Sequence, residues 1–296
     1  MPEGILEKQV SHWLEQQVPN FESPVDYQLI TGGHSNLTFK CEDATGRAVV
    51  LRRPPLGHVL ESAHDMSREY RIIHALRQTK VPVPEALGLC QDKTVNGADF
   101  YVMDFVEGVV LNDAVIGSTI PAQARPDLAH NVIHILCDLH DVDMDAVGLG
   151  TLGRKEAYLS RQLNRWNKQW QATKTHDIPE MEASSALLME RIPEQLGASI
   201  VHGDFRLGNM IVDQGRVEAI LDWEVCTFGD PLADLGYLLN NWLGEDEVVG
   251  IDVADQPPTA VGGYPSRDTL CELYCQKTGR DLSNINYYRA FQHWRL

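Results

Sequence analysis

No apolar run in the chain approaches the ~18 residues that a membrane-spanning helix needs, and no secretory hydrophobic stretch opens it. Basic charge is also scarce. Twenty-five Lys and Arg stand against 42 Asp and Glu, a formal net charge of −17. That balance argues against a general nucleic-acid binder, which wants a basic face. It tolerates a cationic small molecule without requiring one, and any site for a polyanion must gather its few cations locally. The six cysteines, Cys41, Cys90, Cys137, Cys226, Cys271 and Cys275, lack the rhythm of a disulfide scaffold. Cys271 and Cys275 lie one helical turn apart, but no His or third Cys nearby completes a metal set. Buried thiols in a reducing cytoplasm are the expectation. No internal repeat is visible.

What is present reads as a globular protein of 296 residues, 43% hydrophobic and 23% charged, long enough for two lobes. Leu6, Val10, Trp13 and Leu14 fall at helical spacing before Val18-Pro19. Strand-like runs follow at Tyr27–Thr31, Asn36–Cys41 and Ala48–Arg52, joined by Gly32-Gly33-His34-Ser35 and then by Asp43-Ala44-Thr45-Gly46. A helix fits Ser62–Gln78, and further strands fit Ala86–Cys90 and Phe100–Phe105. Together these predict a five-stranded antiparallel sheet with one inserted helix, a small lobe over residues 1–106.

From residue 107 the pattern turns helical. Leu128, Val132, Ile135, Leu136 and Leu139 form one stripe, and Leu159, Leu163, Trp166 and Trp170 another, both read as core. Short apolar strands fit Ser199–Val201, Met210–Val212 and Glu218–Leu221, and helices fit Pro231–Trp242, Arg267–Lys277 and Ser283 to the end. Residues 244–263 are acidic and rich in Pro and Gly, as in a solvated loop. The last helix is still running at Leu296, which leaves room for the natural protein to continue.

The densest chemical signal is Val201-His202-Gly203-Asp204-Phe205-Arg206-Leu207-Gly208-Asn209, then Ile220-Leu221-Asp222-Trp223-Glu224. It puts two carboxylates and an amide on loops at the ends of short apolar strands. Phosphoryl transfer needs that supply: one carboxylate facing the attacking hydroxyl, and a carboxylate with an amide oxygen to hold a hard cation on the phosphates.

These residues resemble the catalytic loop and the metal-binding Asp of the protein-kinase-like superfamily. His202-Gly203-Asp204, with Gly where protein kinases carry Arg, is similar to the aminoglycoside phosphotransferase and choline kinase branch. So is the run Phe228-Gly229-Asp230-Pro231-Leu232-Ala233-Asp234-Leu235. More narrowly, the chain resembles the phosphotransferase-like domains related to those fused to some acyl-CoA dehydrogenases. The resemblance spans nearly the whole chain, with its motifs in the family's order.

The resemblance implies a two-lobed α+β fold with an antiparallel-sheet N-lobe (1–106) and a mainly helical C-lobe (107–296), binding ATP and Mg²⁺ in the cleft between them. Asp204 would accept or orient the acceptor's proton, and Asn209 and Asp222 would hold Mg²⁺. Arg52 stands where a kinase Lys would meet the phosphates, with Glu69 as its partner; Arg53 beside it leaves the register open by one. Gly32, Gly33 and Ser35 resemble the phosphate-covering turn, without a full G-x-G-x-x-G. Met103, Asp104 and Val106 resemble the hinge, where the Asp104 carbonyl and the Val106 amide would read adenine. His202 is expected to support its loop, Asp230 before Pro231 to cap a helix, and Asp234 to brace the loop. Glu224 is left between substrate contact and solvent. The implied activity is transfer of phosphate from ATP to a small-molecule hydroxyl or amine, with no nucleic-acid or membrane partner. The alternative is a nucleotide-binding, catalytically silent regulatory module. A protein kinase is excluded, because Asp222 is followed almost at once by Asp230-Pro231, with no activation segment.

Overall fold

The computed structural model describes residues 3–30, 36–57, 65–243 and 256–296. The polypeptide falls into two compact units, Met1–Glu107 and Gly108–Leu296.

The first unit opens with α1 (Glu7–Gln17) and continues with β1 (Asp26–Leu29), β2 (Leu37–Glu42), β3 (Ala48–Arg53), α2 (Met66–Leu76), β4 (Ala86–Cys90), α3 (Lys93–Asn96) and β5 (Phe100–Asp104). Its five strands form one antiparallel sheet in the order β1-β2-β3-β5-β4. Val10 and Leu14 of α1 bury against Phe39, Val49, Leu51, Phe100 and Val102 on one face. Each such side chain contributes roughly 1.5–3 kcal/mol by leaving water. Trp13 meets Phe100 edge-on at 4.9 Å, and it lies so close to β4 that a Cβ at Gly88 would sit 2.9 Å from its ring. The other face packs on α2, through Ile72, Ile73 and Leu76. Successive strand side chains alternate between the two faces. In β3 this sends Val49, Leu51 and Arg53 toward α1, and Arg52 toward α2. The predicted start at Ser62 lies outside the described residues; α2 as described begins at Met66, where the Asp65 carboxylate caps it by accepting the Arg68 N–H at 2.9 Å. The expected turn at Gly32, Gly33 and Ser35 lies outside the described residues.

The second unit holds β6 (Val109–Val110), α4 (Ala114–Gly117), α5 (Arg125–His140), α6 (Tyr158–Thr173), α7 (Pro179–Glu190), β7 (Ser199–Val201), β8 (Met210–Asp213), β9 (Arg216–Ile220), β10 (Thr227–Gly229), α8 (Leu232–Asn240), α9 (Arg267–Thr278) and α10 (Ile285–Arg295). α5 buries Leu128, Val132, Ile133, Ile135, Leu136 and Leu139, as its stripe predicts, and packs on α9. α8 is buried along almost its whole length and packs on α10, where Gly236 lets the Tyr288 backbone approach. The α6 stripe is core only in part: Leu159 and Leu163 are buried, whereas Trp166 and Trp170 are half-buried. β7 pairs antiparallel with β10, and β8 with both β6 and β9. Most of the acidic 244–263 stretch lies outside the described residues; 258–261 form a 3₁₀ turn. Among the described residues, no helix is long and apolar enough to cross a membrane.

Candidate functional site

β7 is fully buried, and its chain emerges at His202 into a loop that must satisfy its own backbone. Asp234, wholly buried in the first turn of α8, does this. Its carboxylate accepts the His202 N–H at 2.6 Å and the Gly203 N–H at 2.8 Å. Gly203 sits at φ +86°, where a Cβ would meet the Val225 carbonyl at 3.1 Å, so glycine is required. His202 then fastens the loop to the next hairpin. Its Nδ1 accepts the Asp204 N–H at 3.2 Å, which leaves Nε2–H to donate to the Leu221 carbonyl at 2.9 Å. Its ring packs on Trp223 with centroids 4.6 Å apart. His202 is a structural support, and Asp234 braces the loop. Asp230 accepts the Leu232 N–H at the start of α8, the Leu196 N–H, and the Tyr288 hydroxyl at 2.7 Å.

A 3₁₀ turn, Leu207–Asn209, carries the chain into β8. The Asn209 carbonyl accepts the Leu221 N–H at 2.8 Å, extending the β8–β9 ladder by one rung, and so brings Asn209 beside the Leu221–Asp222 peptide. Asn209 Nδ2 donates to the Asp204 backbone oxygen at 2.9 Å and to Asp204 Oδ2 at 2.7 Å. Its Oδ1 is then the atom available to a cation. Asp222 takes φ +65°, a left-handed conformation unusual for a side-chain-bearing residue and costing of order 1–3 kcal/mol.

Asp204 Oδ1 is buried and has no aligned hydrogen bond. Arg206 Nε stands 3.3 Å from it. The Tyr237 hydroxyl of α8 lies beside the same carboxylate: burial first, then the Asp204 charge, pushes the phenol above its ordinary range. Arg295 of α10 completes the surround, donating from Nη2 to the Gly203 carbonyl with its guanidinium 5.0 Å over the Tyr237 ring. Behind Asp234, His140 Nε2 lies at 3.5 Å, and complete burial pushes this imidazole below its ordinary value. The Asp234 charge is therefore met mainly by backbone N–H groups. A cavity of about 340 Å³ adjoins the loop, lined by Arg206, Leu207, Gly208, Asn241, Leu243 and Pro258 among others.

Asn209 Oδ1 and the Asp222 carboxylate are hard oxygen donors of the type Mg²⁺ takes. Among the described residues no three His, Cys, Asp or Glu side chains converge as a metal cage.

In the first unit, Arg52 Nε lies 3.1 Å from Glu69 Oε2, and both side chains are largely buried. Glu69 also accepts the Asn36 amide and the Tyr101 hydroxyl, each at 3.1 Å. Arg53 turns the other way, donating to the Gly4 and Asn96 carbonyls. The two arginines thus occupy opposite faces, and the one paired with Glu69 is Arg52. Met103 is buried in β5, with Asp104 and Val106 half-buried. The Asp104 N–H donates to the Glu85 carbonyl at 2.9 Å. Sequence reasoning missed Asn36, Tyr101, Tyr237 and Arg295, and quoted Arg206 only as part of the motif.

A family model described as the phosphotransferase enzyme family (APH) matches residues 26–266. Acyl-CoA dehydrogenase family member 10 of Mus musculus is 35% identical over 300 residues, covering 100% of this chain but 28% of the mouse protein. The chain therefore spans under a third of that relative's length. A Ralstonia eutropha protein, solved as a candidate aminoglycoside phosphotransferase, superposes with a TM-score of 0.80 at 35% identity, covering 97% of this chain and 85% of that one. The ternary complex of an aminoglycoside phosphotransferase with streptomycin and ATP shares the fold at a TM-score of 0.60 and 17% identity, over 94% of this chain and 83% of the other. The fold is the two-lobed, kinase-like α+β fold of these enzymes.

Proposed function

We propose, from the premise that this chain belongs to the phosphotransferase enzyme family, that it transfers the γ-phosphoryl group of ATP to a hydroxyl of a small molecule, with Mg²⁺ as the metal. The observation that carries this reading is the division of labour on Asp204. Oδ2 is clamped by Asn209, while Oδ1 is held in a buried setting with no aligned donor. A carboxylate so arranged is oriented by one oxygen and can take the acceptor's proton on the other. Arg206 Nε stands 3.3 Å from that free-facing oxygen and brings a positive charge beside it.

Asn209 Oδ1 and Asp222 would hold the cation, which when bound neutralises phosphate charge and orients the transferring group. Asp222 reaches its position through the left-handed backbone that turns it out of β9. Arg52 would donate to the phosphates, its guanidinium kept in place by Glu69, which the Tyr101 hydroxyl and the Asn36 amide in turn hold. Met103, Asp104 and Val106 supply the adenine edge in this reading, through the Asp104 carbonyl and the Val106 amide. The cavity beside Arg206 takes the acceptor.

One solved neighbour is an aminoglycoside phosphotransferase and the mouse relative carries the name of an acyl-CoA dehydrogenase, so aminoglycosides and hydroxyl-bearing acyl thioesters head the panel to be assayed. The test is acceptor-dependent transfer of labelled phosphate from ATP, with the Asp204→Asn protein as the blank. Transfer by the wild type alone supports the reading. Nucleotide binding with no transfer to any acceptor would refute it and leave the silent regulatory module.

A further inference from the structure

Three helices that lie far apart in the sequence converge behind the His202–Asn209 loop, through side chains to which no role has yet been given. Arg295 projects from the end of α10. One nitrogen of its guanidinium donates to the Gly203 carbonyl, the peptide directly before Asp204. The same guanidinium lies 5.0 Å from the centre of the Tyr237 ring on α8 and 5.9 Å from that of the Trp166 ring on α6. Tyr237 in turn sets its hydroxyl against the Asp204 carboxylate.

The loop is thereby held from two sides. Asp234 binds the N–H groups of His202 and Gly203. Arg295 binds the carbonyl of Gly203. The Gly203–Asp204 peptide is held at both ends, its C=O by Arg295 and its N–H by His202 Nδ1 at 3.2 Å, and the Gly203 φ of +86° makes rotation the natural failure of this segment. Without the Arg295 bond that peptide is held by His202 alone, and the backbone that sets the Asp204 carboxylate beside Asn209 is freer to turn.

We propose that Arg295 is a positioning residue for phosphoryl transfer: through Gly203, and through the Tyr237 ring beneath it, it fixes the direction of the Asp204 carboxylate. This rests on the phosphotransferase reading for its kinetic consequence, but the coupling itself is a property of the fold. Arginine suits the role because its planar fork donates along its edge to a carbonyl while its face stacks on aromatic rings. An ammonium cannot do both.

The experiment compares Arg295→Gln, Arg295→Lys, Arg295→Ala and Trp294→Phe with the wild type. Trp294 lies on the same helix end, and its Nε1 donates to the Met181 carbonyl at 3.0 Å, so its replacement loosens the packing of α10 without touching the loop. Arg295→Gln is expected to lower kcat by about ten- to a hundred-fold, the scale of one charge-assisted hydrogen bond, with KM for MgATP unchanged. Arg295→Lys recovers only part of the loss. Added guanidinium ion, at concentrations too low to denature, restores turnover to Arg295→Ala by filling the space left behind. Trp294→Phe keeps the wild-type kcat while losing some thermal stability. Independently of turnover, amide hydrogen exchange at Gly203 and Asp204 accelerates in Arg295→Gln and not in Trp294→Phe. An Arg295→Gln protein with wild-type kcat, or a Trp294→Phe protein as impaired as Arg295→Gln, overturns the proposal. If the wild type transfers phosphate to no acceptor, the phosphotransferase reading falls, and the exchange measurement alone decides the coupling: unchanged exchange refutes it.

Discussion

Asp234→Asn replaces one atom in a side chain that touches neither nucleotide nor acceptor, yet it should be among the most damaging conservative changes in the second unit. The carboxylate is fully buried and accepts two backbone N–H groups, at 2.6 and 2.8 Å. An asparagine of the same shape offers one acceptor oxygen. It can keep either the His202 or the Gly203 bond, and it turns its own NH₂ toward the remaining N–H. One hydrogen bond to a charged acceptor is lost, worth about 1.5–3 kcal/mol, and one buried backbone donor is left unpaired, at about 1–3 kcal/mol more. The sum, roughly 2.5–6 kcal/mol, is a large fraction of the ~5–15 kcal/mol by which a domain is stable. His140 offers little relief, because burial holds its imidazole neutral. Urea unfolding of the wild type and the variant, followed by intrinsic tryptophan fluorescence, measures the difference. A loss below about 1 kcal/mol would refute the account, since it would mean that the loop's N–H groups find other partners.

Asp204→Asn keeps the side chain's shape but removes the proton acceptor, and should slow acceptor phosphorylation by ~10²–10⁴-fold in single-turnover assays while MgATP binds almost as before. Equal rates would falsify the assignment. Asp222→Ala should abolish the Mg²⁺-dependent part of ATP affinity by calorimetry with the fold intact; an unchanged MgATP isotherm removes Asp222 from the site. Arg52→Gln, which still offers Glu69 an N–H donor, should weaken ATP well beyond adenosine, whereas Arg53→Gln should spare nucleotide binding and lower the melting temperature by freeing the Gly4 and Asn96 carbonyls. Reversed effects would transfer the phosphate role to Arg53.

What could be read from the sequence was what is local. Asp204 and Asn209 lie on one short loop, and Asp222 follows an apolar strand, so their spacing alone brings the three near one another. The five-stranded sheet could be read for the same reason, since each strand is bounded by its own turn residues. The choice between Arg52 and Arg53 could not be made, because the parity of a strand is set by what packs on each face, here α1 against α2. Helix α7 left no periodic signal: it buries only Ser185 and Leu188. Trp166 and Trp170 looked like core because their spacing is helical, but neither is fully buried. Arg295 was beyond reach for a different reason. It meets Gly203 across 92 positions of chain, and nothing in either residue's neighbourhood announces the other.

The bracing of the loop has an evolutionary consequence. His202, Asp234 and the Leu221 carbonyl hold the backbone through groups that do not include the Asp204 side chain. Asn209 also keeps its bond to the Asp204 main-chain oxygen whatever residue stands at that position. Chemistry and architecture are therefore separable by mutation here. A lineage could exchange Asp204 for a residue of similar size and inherit the same main-chain bonds around it. If Asp204 is the proton acceptor proposed above, descendants that bind without reacting are a single codon away, and an aspartate at position 204 answers to activity rather than to foldedness.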